Sequence, residues 1–525
     1  MKSRYALPLL FGALALYGAA ATSPGARWWG TVKELASDKY EGRATASPGY
    51  RQAAEMVSRE FKKLGLVPVA NSGYLQPVPL VVRKLREPES SVSLVRGGLQ
   101  ELLEIGTDAY FNLNIESRPQ VDAPASFVGY GLTVPEVGYD DFAGVDLKGR
   151  VAVFLRGGPS SIPGPLRAHY QTLQERQAFL RKAGAVGIAT ILDPNSMDLP
   201  WERYSANRLE PFMSLSAPGM QDGGDLALSL TINPARADQW FAGTEHTFAE
   251  ILDLAKAGRP LPKFPLAWSV SAAVSADRSE AECANVAAVL RGTDRRLRDE
   301  YVVISAHLDH LGAGVPVKGD AIYNGALDNA GGVASLIEIA RALKASPPRR
   351  SVLFLAVTGE EKGLLGSRYF ASRPGVPAGS IVADLNLDMF LPIHNLRMLT
   401  VLGLGESSLG NDVRAVAKSF GVGIQADPEP DRNRFIRSDQ YNFIREGVPS
   451  LALKFGFTPG SREERMQKEW LAQRYHAPSD DATQPVNLAA AARFNRFLTA
   501  LARRVANKAT RPAWNQDSFF RRFAG

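Results

Sequence analysis

A series of near-continuous apolar runs in the C-terminal half constrains this chain most: NVAAVLRG, YVVISA, SVLFLAVTG, IVADLNLDMF and VPSLALKF. A strand that is apolar at every position, and not only at alternate ones, must be covered on both faces, which calls for helices on either side of a sheet. A covering helix can be read between the strands. GGVASLIEIARALKA places Val333, Leu336, Ile337, Ala340 and Leu343 on one helical face. From about Cys283 onward the expectation is therefore an α/β fold, a mixed, mainly parallel sheet sandwiched by helices. In such sheets ligands and chemistry collect beyond the carboxyl ends of the strands.

The rest of the chain reads differently. At 525 residues it is too long for one core, and two domains are the expectation. RQAAEMVSREFKKLGL predicts a helix with Ala54, Val57, Phe61 and Leu64 on one stripe and Gly65 as its stop. Residues 109 to 277 are rich in short apolar runs broken by Gly and Pro, among them ASFVGYGLTV, GRVAVFLRGGP, AVGIATILD and LALSLTI. These predict a mainly β module with some helix, such as QTLQERQAFLRKAG.

The ends of the C-terminal strands carry the chemistry. His307 follows YVVISA, Glu360 and Glu361 follow SVLFLAVTG, and Asp388 ends IVADLNL. Asp328 lies in GALDNAGG at a helix entry, and His476 in YHAPSDD far downstream. One carboxylate at a strand end is an ordinary cap or turn residue. Several together, with Glu360 and Glu361 adjacent, need a cation or a shared proton to offset their repulsion. Two imidazoles and three carboxylates form a mixed N/O set that suits zinc and tolerates cobalt or manganese.

The order HLD, ALDNAGG, TGEEKGLLGS, NLDM and YHAPSDD resembles the dizinc exopeptidase family of secreted leucine aminopeptidases and glutamate carboxypeptidase II, with glutaminyl cyclases as relatives. The resemblance covers residues 283 to 485, and ELASDKYEGRATASPGYRQAAEMVSREFKKLGL resembles that family's N-terminal helical segment. FVGYGL, GYDDFAGVDLKGRVAVFLRGG and AGAVGIATI resemble an inserted protease-associated (PA) domain. The domains implied are a peptidase domain in two pieces, 22–108 and 278–525, around a PA domain at 109–277. The resemblance further implies two zinc ions bridged by Asp328, one completed by His307 and Asp388, the other by Glu361 and His476. It implies Glu360 as general base, the Asp309 carboxylate as acceptor of a hydrogen bond from His307, and Tyr475 as donor to the developing oxyanion. His310, His394, His169 and His246 are read as ordinary polar residues. Gln440 stands in RSDQYNF where many relatives have histidine, which bears on specificity. Arg432, Arg434 and Arg437 beside it either neutralise a substrate carboxylate or solvate a loop.

The function implied is a metallo-exopeptidase acting on peptides, most directly an aminopeptidase, with a carboxypeptidase or dipeptidase as the alternative on the same site. A glutaminyl cyclase would use one zinc and would not need His307 and Asp388 as a second pair. A non-catalytic relative would lack Glu360 or several ligands. The 61 Lys and Arg residues only slightly exceed the 54 Asp and Glu, and Arg503, Arg504, Lys508, Arg511, Arg521 and Arg522 read as a solvated helix and tail, so no nucleic-acid partner is expected. Lys2 and Arg4 before YALPLLFGALALYGAAA predict a signal peptide over residues 1–21, cut after Ala21, and a periplasmic or secreted protein. A membrane anchor needs about 20 apolar residues, and Pro8 interrupts this shorter run, so no stable insertion of the mature chain is expected. Cys283 is the only cysteine, so the fold has no intrachain disulfide.

Overall fold

A computed structural model describes residues 22–69, 73–197, 199–221 and 226–524; the signal segment expected at 1–21 lies outside them. The apolar runs assemble into a ten-stranded mixed sheet. Its order runs Phe212–Leu215, Leu75–Leu85, Ala276–Leu290, Ser351–Val357, Tyr301–His307, Ile381–Asn386, Ser450–Phe455, Met398–Leu402, Gly423–Gln425, with Val67–Pro68 beside Ala276–Leu290. Parallel pairing occupies the centre, from Ser351–Val357 through to Ser450–Phe455. The flanks join that centre antiparallel. The carboxyl ends of the central strands therefore open on one side of the sheet.

Both faces of these strands are covered, as their composition requires. Val302, Ile304, Val352 and Phe354 belong to one core, while Val303, Leu353, Leu355 and Val357 belong to another on the opposite face. Helices Pro24–Leu35, Gly331–Lys344, Leu409–Phe420 and Leu488–Asn507 pack together over the first face. Helix Pro48–Lys63 joins them, its Phe61 ring 6.3 Å from that of Phe354. It starts at Ser47, whose hydroxyl accepts from the Tyr50 amide, with Pro48 in the first turn, and it stops at Gly65 with φ +65°. Burying Val57 and Phe61 contributes about 1.5–3 kcal/mol each. On the second face, Phe370 and Phe443 bring in helices Leu365–Ser372 and Gln440–Arg445.

The second sheet has eight strands, in the order Leu99–Leu103, Ser91–Arg96, Lys263–Ala273, Gln120–Val128, Val151–Leu155, Gly187–Ile191, Leu228–Ile232, Ala109–Phe111. It has its own core, with Phe127, Val153, Leu230 and Trp240 fully or almost fully buried. The boundary differs from the expected 109–277. Leu75–Leu85 and Ala276–Leu290 form one long antiparallel ladder from Leu75↔Val286 to Leu85↔Ala276, and this pair carries the chain out of the first sheet and back. The Arg86 amide donates to the Ser275 carbonyl where the ladder ends. Ser91–Leu103 thus belongs to the insertion, while Phe212–Leu215, inside the expected range, returns to the first sheet beside Leu75–Leu85. Leu99 and Leu102 of the hairpin are both exposed, so its sequence lacks the buried alternation that would mark it as part of a sheet.

Candidate metal centre

Each expected ligand is set by the element before it. His307 is the last residue of Tyr301–His307, Asp388 follows Ile381–Asn386, and Glu360 and Glu361 lie in the turn after Ser351–Val357. Asp328 lies in the loop entering Gly331–Lys344, and Asp480 holds that loop. The Asp480 carboxylate accepts from the Leu327 and Asp328 amides at 3.0 Å each. Asn329 ties the loop to the neighbouring strand end, its amide donating to the Leu387 carbonyl at 2.8 Å. Arg43, fully buried, donates to the carbonyls of Leu35, Leu308, Asn324 and Gly325 and so joins the N-terminal segment to two of the ligand-bearing loops.

These loops bring the five expected ligands together. His307 Nε2 lies 3.3 Å from Asp328 Oδ1 and 3.5 Å from Asp388 Oδ1. His476 Nε2 lies 3.4 Å from Asp328 Oδ2 and 3.2 Å from Glu361 Oε2. The two oxygens of Asp328 therefore face two different imidazoles, each joined by a further carboxylate. Most of these separations exceed ordinary hydrogen bonds. Two ligand atoms at 2.0–2.2 Å from one tetrahedral zinc would lie about 3.3–3.6 Å apart, which matches them.

The donor chemistry fits a metal on independent grounds. Asp328 Oδ2 and Asp388 Oδ1 are buried with no hydrogen-bond partner, and such orphaned oxygens are costly unless a cation meets them. Burial alone would push His307 and His476 down. Glu360, Asp328 and Asp388 around the first, and Glu361 and Asp328 around the second, outweigh it and push both well up. Burial pushes Glu360 well up, with Glu361, Asp439 and Asp388 adding to it against His307. The pocket thus concentrates negative charge and draws positive charge. The His307 Nδ1–H donates to a carbonyl at 3.1 Å, which leaves the Nε2 lone pair facing Asp328 and Asp388.

Two expectations are corrected. The acceptor for His307 is the main-chain carbonyl of Asp309, not its carboxylate. That carboxylate turns the other way and accepts from the Thr45 hydroxyl at 2.9 Å and from the Glu360 and Glu361 amides at 3.2 and 3.3 Å. It fixes the turn that presents the two glutamates. His310, read as an ordinary polar neighbour, is fully buried and donates from Nδ1 to Glu361 Oε1 at 2.8 Å, leaving Nε2 unpartnered. A side chain on Gly325 would meet the His310 ring at 2.6 Å, so the glycine at φ +57° is what lets this ring in.

The centre opens into a cavity of about 380 Å³ whose walls include Tyr475, Gln440, Lys454 and Leu199. The Tyr475 ring stacks on His476 with centroids 3.9 Å apart. Burial, then Asp328 and Glu361, push its phenol well above its ordinary value and keep it protonated. Gln440 spends its amide internally, accepting from Asn386 at 2.6 Å and donating to the Phe435 carbonyl at 2.8 Å. Arg432 and Arg434 line the same cavity and pair with Glu429. His394, His169 and His246 stand apart, against Gln467, Tyr441 and Glu250 respectively. A larger cleft of about 550 Å³ between the domains holds none of the clustered ligands.

Residues 285–502 match the model of peptidase family M28. A probable zinc metalloprotease of Pyrenophora tritici-repentis is 34% identical over 213 residues, 38% of this chain and 47% of that relative. A probable leucine aminopeptidase 2 of Aspergillus oryzae is 28% identical over 241 residues, 43% and 46% of the two chains. The chain spans about half the length of these relatives. The structure of an aminopeptidase from Aneurinibacillus sp. strain AM-1 superposes with a TM-score of 0.54 at 18% identity, over 93% of this chain and 95% of that one, and so shares the fold. The region that matches peptidase family M28, residues 285–502, holds all five of the clustered side chains.

Proposed function

We propose that this protein is a zinc-dependent exopeptidase that removes N-terminal residues from peptides, with two metal ions and Glu360 as the proton carrier. One observation carries the reading: the two oxygens of Asp328 face separate imidazoles, at 3.3 and 3.4 Å. His307, Asp328 and Asp388 would hold one ion, and Asp328, Glu361 and His476 the other. A zinc pair so held supplies Lewis acidity, polarising the scissile carbonyl and acidifying a water.

The chain's own residues do the rest. Glu360 lines the cavity. It is placed to take a proton from the attacking water and return it to the leaving amine. The protonated Tyr475 phenol, held against His476, donates toward the oxygen on which charge develops. The name of the Aspergillus oryzae relative supports cleavage at the N-terminus. A second reading, a carboxypeptidase or dipeptidase, is favoured by Arg437 and Lys454, two cations that line the cavity.

Hydrolysis of aminoacyl-anilides beside their N-acetylated forms separates the two. The aminopeptidase reading expects release from the free-amine substrates, lost on chelation and restored by zinc. Cleavage of N-acetylated dipeptides instead would move the assignment to the carboxypeptidase reading. The pattern of residues 2–21 supports export to the periplasm or beyond, and recovery of a chain beginning at Thr22 from the exported fraction would test it. The inserted domain we read as the protease-associated type.

A further inference from the structure

We propose that the inserted domain completes the active site, with Arg203 as a positioning residue that holds the main chain of Tyr475 and His476. The inference rests on the metal centre proposed above. Helix Trp201–Ala206 of the insertion is anchored by Trp201, whose Nε1–H donates to the Gly106 carbonyl at 2.8 Å and whose ring lies 5.6 Å from Tyr110. From this anchored helix Arg203 reaches across to the peptidase domain. Its Nη2 donates to the His476 carbonyl at 2.8 Å and lies 3.4 Å from that of Tyr475. Among the described residues no other donor reaches either carbonyl.

The conformation of His476 explains why a clasp is needed there. It sits at φ +52°, a region that residues with side chains rarely adopt. This backbone turns the imidazole in toward Asp328 and Glu361 while the carbonyl turns out to Arg203. Unlike His307, which ends a central strand of the sheet, His476 belongs to a connecting turn between helices Arg462–Gln473 and Leu488–Asn507. The insertion also supplies Leu199 to the cavity wall, in the stretch leading into the same helix. The docked insertion thus holds one metal ligand and one wall of the substrate cavity, so site integrity depends on a domain outside residues 285–502.

The test uses the full chain and reads zinc retention as well as turnover. Arg203→Ala should release part of its zinc at a chelator concentration about 10-fold or more below that needed for the parent, a loss typical of removing a group that orients a ligand. Turnover of an aminoacyl-anilide should fall with the zinc, through kcat more than KM, and Arg203→Lys should restore part of both. The side chain is exposed, so the melting temperature of the zinc-free chain should stay unchanged. Glu202→Ala on the same exposed surface should behave like the parent throughout. Zinc retention and kcat in Arg203→Ala equal to the parent would overturn the proposal. A parent that binds zinc but cleaves no peptide would sink the peptidase reading alone, and zinc retention would still decide the role of Arg203.

Discussion

The two halves of the proposed metal centre are built differently. The His307 half stands on the ends of central parallel strands, and the His307 side chain is 2% exposed. The His476 half hangs on a turn, and its imidazole is 24% exposed. Strand ends are held by their ladder and by cores on both faces. A turn must be held by whatever reaches it, here the Leu327 and Asp328 amides that Asp480 of the same turn accepts from, and Arg203 from the inserted domain. The same ligand chemistry should therefore show two affinities, tight on the strands and weaker on the turn.

The largest effect should come from the residue common to both halves. Asp328→Asn should lose both ions and all turnover, measured as zinc per chain by mass spectrometry; one retained ion would break the bridging assignment. Glu360→Gln should keep both ions and lose about 10²–10⁴-fold in turnover. A near-normal rate in that variant would remove the proton-carrier role and leave the ligand comparison untouched. His310→Ala should weaken zinc by about 10–100-fold through Glu361, with the loss confined to one ion. Equal weakening of both ions would mean that the halves are not separable.

The smallest effect concerns the docking of the two domains. His169 of the insertion lies with Nδ1 2.6 Å from the Tyr441 hydroxyl, and burial, then Arg445 and Arg522, push its pKa down to about 4. A depressed histidine favours the folded state while it is neutral. That contribution is whole above the ordinary value near 6.5 and is lost as pH falls from there toward 4. By pH 5 the loss should be on the order of 1–2 kcal/mol. Melting temperatures at pH 7.5 and 5 should show a smaller drop in His169→Gln than in the parent; equal drops would place the pH sensitivity elsewhere.

The central strands and the clustering of the five expected ligands were legible because their signals are local. A run such as YVVISA announces burial on both faces, and a histidine or acid straight after it is conspicuous. What the text could not carry was direction. Asp309 and His310 were in view, but whether a side chain turns toward His307 or toward Glu361 depends on loops far away in sequence. Arg43 sits in a segment that reads only as a helical lead-in, yet its guanidinium joins two ligand loops more than 260 residues on. The ladder between Leu75–Leu85 and Ala276–Leu290 pairs segments about 190 residues apart, so where the chain leaves and re-enters the first sheet is not written in any local stretch. Arg203 gave no signal at all, since its role exists only where two domains meet.

The most direct test is zinc content per chain during stepwise chelation of the parent beside His476→Ala. The account predicts two equivalents in the parent, released in two steps, and one equivalent in His476→Ala, with the more easily removed ion missing. A single equivalent in the parent, or two equivalents retained by His476→Ala, would contradict it.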